Sequence, residues 1–313
     1  MSEPRTIAPA EGKLGVLTVG LGAVATTLIA GVELSKRGLG KPFGSMTQLG
    51  TIRIGKRTDN DTRLIKDFVP LARLEDIEWG AWDVFPDDAY VSATRAGVLE
   101  QGKHIEAIAD TLRDIRPMKA AFERKYARNL TGEHTMGAIG KRAMLEAVRA
   151  DINRFRDEKK VDRMVMIWCA STEIYIEPGP THQTIETLEK AIDANDDSIS
   201  PSIIYAYAAL LEGVPFANGS PNLAVDTPAL REYATAHNIP ISGKDFKTGQ
   251  TLMKTVLAPM VKARQLGVSG WYSTNILGNR DGEVLDAPEN FKTKEESKLG
   301  VLEHILEPKT NPD

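Results

Sequence analysis

The residues best placed to do chemistry lie between Ser242 and Lys298, in three polar clusters joined by ordinary apolar pattern. The first is Asp245, Phe246, Lys247, Thr248, Gly249, Gln250 and Thr251. It runs into a predicted helix with Leu252, Val256, Leu257, Met260 and Val261 on one face and a stop at Gly267. A short glycine-containing polar loop that opens a helix aims unpaired backbone N–H groups and the positive helix end at one point. Such a point suits an anion such as phosphate. The second cluster holds Asn275, Leu277, Gly278, Asn279, Asp281 and Gly282. The third runs from Phe291 to Lys298, where Thr293 and Glu296 match the S/T-x-x-E capping box. That box predicts a helix start at Thr293 with Lys294 in its first turn and Lys298 on the same face. Two ammonium groups so placed repel unless an anion lies between them. Glu295 and Glu296 relieve part of this, so a solvated mixed-charge helix is the alternative reading of the lysines alone.

These groups need a scaffold, and both ends of the chain alternate strand with helix. Leu14–Val19 reads as an apolar strand, followed by Gly20-x-Gly22-x-x-Ala25 and a helix from about Ala23 to Arg37. In such a turn Gly20 bends tightly, Gly22 lets backbone approach a pyrophosphate, and Ala25 lets helix and strand pack closely. The uncharged run from Leu14 to Val32 is nearly long enough to cross a bilayer. Gly15, Gly20, Gly22 and Gly31, with Thr18, Thr26 and Thr27, favour strand, turn and helix instead. A second strand is predicted at Gly50–Gly55; no acidic residue closes it, and Asp59 and Asp61 lie in the polar loop beyond. Ala93 to Lys160 reads as a charged helical insertion, with helices over Met118–Arg128 and Gly140–Arg156. Met164–Trp168 is wholly apolar, as a central parallel strand should be, and ends in Cys169, Ala170, Ser171, Thr172 and Glu173. Small polar residues at a strand's carboxyl end are where open α/β sheets bind ligands. Helices at Thr181–Ala194, Pro201–Leu211 and Pro228–His237 and a strand at Ile239–Ser242 complete a doubly wound α/β pattern.

A chain of 313 residues can hold two domains. Its net charge of −4 offers no electrostatic footprint for nucleic acid or an anionic membrane, so a phosphorylated substrate requires a local basic site. The lone Cys169 excludes an intrachain disulfide and fits a reducing, cytoplasmic setting. His104, His134, His182, His237 and His304 are scattered without metal-ligand spacing, and no metal site is expected.

Taken in order, Asp245, Lys247, Thr248, Gly249, Gln250 and Thr251, then Asn275, Leu277, Gly278, Asn279, Asp281 and Gly282, then Lys294 and Lys298 resemble the signature of the myo-inositol-1-phosphate synthase family. Trp79-Gly80-Ala81-Trp82-Asp83 looks like the family's G-G-W-D segment, and the turn Asn218–Pro221 is also family-like. The resemblance implies an N-terminal arm (1–12) and a Rossmann-type NAD-binding domain (13–250, with the insertion at about 93–160). The first part of an α+β catalytic and oligomerisation domain would follow (251–313). It implies NAD held at Gly20, Gly22, Ala23, Val24 and Ala25, with Asp83 toward the adenosine half. Ala170, Ser171 and Thr172 would be cofactor neighbours. A capped turn with a buried Trp82 is the other reading at Asp83. The family's glycine loop is commonly richer in Asn; here Ala23 and Val24 stand instead. The family's chain also continues well past the K-x-x-x-K helix, so a truncated chain and a natural short form are both open.

The implied chemistry is conversion of glucose 6-phosphate to 1D-myo-inositol 3-phosphate by internal oxidation, enolisation, aldol cyclisation and re-reduction. It needs a phosphate anchor, proton relays, and cations where oxyanion charge develops. The resemblance assigns the phosphate to Thr248, Gly249, Gln250, Thr251 and Lys298. Lys294 faces the oxyanion or relays a proton. Asp245, Asn279 and Asp281 orient the nicotinamide end and the lysines, and Lys247 is a further catalytic candidate. It also implies a homotetramer. A sugar-phosphate dehydrogenase, which would release NADH, and a non-catalytic NAD-binding assembly protein are the competing readings.

Overall fold

Six short parallel strands and the helices between them carry the site; the computed structural model describes residues 11–273 and 279–306. β1 (Leu14–Val19) leads through the glycine turn into α1 (Ala23–Lys36). α2 (Met46–Leu49) and the strands β2 (Thr51–Arg53) and β3 (Thr62–Leu64) follow. β4 (Ile77–Asp83), α3 (Ala89–Ala96), α4 (Ala109–Asp114) and β5 (Met118–Lys119) come next. α5 (Lys141–Lys159), β6 (Arg163–Trp168), α6 (Ile185–Asp193) and α7 (Pro201–Leu211) form the middle of the chain. β7 (Phe216–Asn218), α8 (Pro228–Ala236) and β8 (Ile241–Gly243) complete the sheet. α9 (Gly249–Ala263), α10 (Asn279–Leu285) and α11 (Pro288–Leu306) pack together beyond it.

The sheet order is β5-β4-β1-β6-β7-β8, all parallel. Counting only its own strands, this is the doubly wound order 3-2-1-4-5-6, whose crevice opens where the order reverses, between β1 and β6. Alternate residues of β1 feed two cores. Val16 joins Ile29 of α1, Ala93 of α3 and Leu112 of α4 on one face. Leu17 and Val19 join Val148 and Ile152 of α5, Leu188 of α6 and Ile203 of α7 on the other. α7 is apolar all round and is buried along nearly its whole length, as such a helix must be. Beneath the crevice the rings of Trp82 and Trp168 meet Tyr205 edge-on, at 5.3 and 5.8 Å.

Four local expectations differ from the structure. Thr51–Arg53 is a strand, but it is fully exposed and pairs antiparallel with β3 in a separate two-stranded sheet. The sheet's second strand is β4, the Trp79–Asp83 segment itself. A side chain at Gly80 would meet Leu17 and the Phe155 ring within 3 Å, so the glycine marks close packing inside a strand. Met118–Arg128 is no helix: Met118–Lys119 joins the sheet edge, and Ala120 exchanges backbone bonds with His134 and Met136. Here tertiary pairing overrides helical spacing. α11 begins at Pro288, where the missing N–H costs nothing, so Thr293 is a buried interior residue and no cap. Finally, α9 turns Thr251, Lys254 and Ala258 inward and leaves Leu252, Met253, Val256 and Met260 half exposed.

Candidate active site

The glycine turn is built against two strand ends. Gly20 (φ +94°) donates its N–H to the Trp82 carbonyl at 2.8 Å, and a Cβ there would lie 2.7 Å from the Ala170 backbone. Only glycine fits that conformation and approach. A Cβ at Gly22 would meet nothing within 4 Å; its position opens into a cleft of about 750 Å³. The α1 N-cap is Gly22 itself, and no side chain caps the helix. The Asp83 carboxylate, at the end of β4, accepts the Leu21 N–H at 2.6 Å and the Phe85 N–H at 2.9 Å. Burial pushes this carboxyl above its usual range, against those two bonds and the nearby Arg280. A dinucleotide fits here: a bare glycine faces the cleft, the helix N-terminus opens onto it, and its floor is aromatic.

Across the cleft stand Cys169, Ala170 and Ser171, which follow β6. Burial pushes the Cys169 thiol up to about 12, which keeps it protonated. Thr172 is buried; its N–H donates to Asp281 Oδ1 at 3.2 Å, and its carbonyl accepts from Asn290 Nδ2 at 2.8 Å. Glu173 also lines the cleft. Its carboxylate accepts the Ser202 N–H (2.9 Å) and hydroxyl (2.5 Å) at the start of α7.

A second cluster adjoins this one through Asp281. Lys294 of α11 lies 3.2 Å from Asp245 Oδ1 and 4.0 Å from Asp281 Oδ2, and Ser297 donates to Asp245 Oδ2 at 3.3 Å. Asp245 (φ +64°) holds its strained turn by donating its N–H to the Ser220 carbonyl, and Phe246 donates to Gly219. The first polar loop is thereby pinned to the Asn218–Pro221 turn. Burial first, and then the neighbouring Lys294, push Lys298 below the ordinary lysine range. Lys254 is buried and donates to the Lys298 carbonyl at 2.7 Å; burial lowers its pKa too.

The structure therefore brings Asp245, Asp281, Lys294 and Lys298 together, one step from the end of β6. Thr248 caps α9 without a side-chain bond of its own. Gly249 is exposed and Thr251 buried, while Gln250 accepts from Ser273 at 2.6 Å. Ala23, Val24 and Ala25 form the first turn of α1, with Ala25 buried and Val24 half exposed. Lys247 is not part of the cluster: its ammonium folds onto the Lys244 and Asp245 carbonyls. Asn275, Leu277 and Gly278 lie outside the described residues, as does the side chain of Asn279. Sequence reasoning missed Lys254, Ser297 and Arg280, and named Glu173 only as the last residue of the polar segment after β6. Ser297 and Lys254 could have been found from the true helical faces, since each lies one turn from a named residue.

A family model described as myo-inositol-1-phosphate synthase, an NAD-binding domain, matches residues 14–288, so NAD is the cofactor. The chain is 55% identical over 309 residues to inositol-3-phosphate synthase 1 of Bacteroides thetaiotaomicron, covering 98% of this chain and 71% of that protein. It is 34% identical over 323 residues to inositol-3-phosphate synthase 1 of Oryza sativa, covering 96% of this chain and 63% of the rice protein. The crystal structure of inositol-3-phosphate synthase from Caenorhabditis elegans superposes with a TM-score of 0.85 at 30% identity, over 92% of this chain and 59% of the nematode chain. The chain thus spans less than two thirds of the rice and nematode proteins.

Proposed function

The chain belongs to the myo-inositol-1-phosphate synthase family, and from that premise we propose that it converts D-glucose 6-phosphate to 1D-myo-inositol 3-phosphate, feeding inositol and phospholipid synthesis. One observation carries this reading: Asp281 joins the crevice at the end of β6 to the Lys294–Asp245 pair. Oxidation, proton transfer and ring closure on one substrate require cofactor and cations to share a site, and that bridge makes them neighbours.

NAD, when bound, would accept the hydride of the C5–H bond as the C5 hydroxyl gives up its proton, and would later return that hydride, so the overall reaction has no net redox change. Gly20, Gly22 and the first turn of α1 (Ala23, Val24, Ala25) would hold it by backbone. Asp83 keeps that turn in shape, and Ala170 and Ser171 form the opposite wall. Thr172, Asp245, Asn279 and Asp281 belong to the nicotinamide side. Once the C5 carbonyl exists, loss of a C6 proton places charge on its oxygen. A preorganised ammonium is worth most there, because little water is left to screen it. Lys294 is the candidate: Asp245 and Ser297 fix its position, and it is only partly exposed. Lys298, Thr248, Gly249, Gln250 and Thr251 would bind the substrate phosphate. A phosphate dianion beside Lys298 would restore the charge that burial disfavours. Lys247 remains outside this scheme because it binds its own loop.

We further infer a homo-oligomer, a tetramer, in the cytoplasm. The half-exposed apolar side of α9 supports self-association, and among the described residues no helix is long and apolar enough to cross a membrane. The test supplies glucose 6-phosphate and NAD⁺ and measures inositol phosphate directly. Product without net NADH is expected. Net NADH would point to a dehydrogenase, and NAD binding without any product would overturn the catalytic reading.

A further inference from the structure

The glycine turn poses a charge problem. A pyrophosphate brings two negative charges, yet Ala23 and Val24 have no polar side chain to meet them. The turn's own Leu21 N–H is already given to Asp83. Backbone donors at the helix end can take part of that charge. A full cation has to come from elsewhere, and two arginines line the cavities that meet at Gly22 and Asp83. Arg95 is ion-paired with Asp87. Arg280 is different: among the described residues it has no ion-pair partner, and it lines both cavities, of about 750 and 1030 Å³.

Its contact is with a ring. The guanidinium carbon lies 3.6 Å from the centroid of Phe85. Stacking holds the plane of the guanidinium while leaving its N–H edges free to donate. The platform is itself fixed, because the Phe85 N–H is bound by Asp83, the residue that also holds the glycine turn. Turn, platform and cation are thus assembled on one carboxylate. We propose that Arg280 is a cofactor-binding residue, the side-chain cation that receives the pyrophosphate at the mouth of the cleft. It does from α10 what the alanine and valine of the turn cannot do. This rests on the NAD assignment of the cleft.

The experiment is calorimetric titration of the full chain with ADP-ribose, which carries the pyrophosphate, and with adenosine, which does not. Loss of a charge-assisted contact should weaken ADP-ribose binding to Arg280→Gln by about ten- to one-hundred-fold. Adenosine affinity should stay unchanged, and added salt should weaken ADP-ribose binding less than in the wild type. Arg280→Lys, which keeps charge but loses the stacked fork, should fall between. Phe85→Leu should also weaken ADP-ribose, since the guanidinium loses its platform. Equal ADP-ribose affinity in wild type and Arg280→Gln would overturn the proposal, and so would a matching loss for adenosine. A wild type that binds no ADP-ribose would instead overturn the NAD assignment, and the proposal with it.

Discussion

Glu173 should make the protein less stable as pH rises, against the usual behaviour of a carboxylate. It is 4% exposed, and burial raises its pKa from the usual 4.5 to about 7, against hydrogen bonds from Ser202 and Ser200 and the nearby Lys141. Between these two values the folded chain keeps a proton that the unfolded chain has released. Stability from this group is therefore greatest below about pH 4.5, falls through the window, and levels above about pH 7. A span of roughly 2.5 pH units at 1.36 kcal/mol each is about 3 kcal/mol. With a urea dependence of about 3 kcal/mol per molar, the midpoint should move by about 1 M. Glu173→Gln has no charge to bury and keeps an acceptor for the Ser202 N–H, so its midpoint should lack this slope. Urea unfolding of both proteins from pH 4.5 to 8, followed by circular dichroism, gives the comparison. Every other titratable group is common to the two proteins, so the difference curve isolates one carboxyl. Parallel midpoints across the window would refute the reasoning. Glu173→Ala, which strands the Ser202 N–H, should cost about 1–3 kcal/mol even at pH 8.

Gly20→Ala forces a side chain onto a φ of +94° and against Ala170, and should lower stability by about 2 kcal/mol or more in the same unfolding assay. Gly22→Val meets open space, so the fold should survive while NAD affinity falls at least about a hundredfold in calorimetry (~2.7 kcal/mol); unchanged affinity would remove the turn from the cofactor site. Lys294→Ala should cut kcat by about 10²–10³, or roughly 3–4 kcal/mol, because its charge acts only once the oxyanion forms. Lys298→Ala should chiefly raise KM, since a phosphate anchor serves ground and transition states alike. NAD binding should persist in both, and unchanged turnover in Lys294→Ala would return α11 to the role of a solvated helix.

The first strand, its turn and its helix were legible because their signal is local: an apolar run, two glycines and helical spacing in a few tens of residues. The acidic end of the sheet's second strand was not, because α2, β2 and β3 separate Asp83 from the glycines by far more than the usual ~20 residues. Thr51–Arg53 has the look of a strand but no apolar face to bury, and so it could not enter the sheet. In α9 the apolar residues read as the packed face, yet Lys254 and Thr251 face inward, and Lys254 finds a polar partner on α11 in the Lys298 carbonyl. The Lys294 and Lys298 pairing on one face followed from helical period alone and survived a wrong helix start. Arg280 left no sequence signal, since its role depends on a distant ring; Glu173 was read only as the end of a polar strand-end segment, because its burial depends on a distant helix start.

Asp281 touches the Thr172 amide with one oxygen and faces Lys294 with the other. Thermodynamic reciprocity then applies across the bridge: any factor by which an occupied crevice tightens the lysine pocket for substrate is the factor by which bound substrate tightens the crevice. Order of addition cannot change that product. Asp281→Asn, which alters the charge facing Lys294, should shrink both factors together.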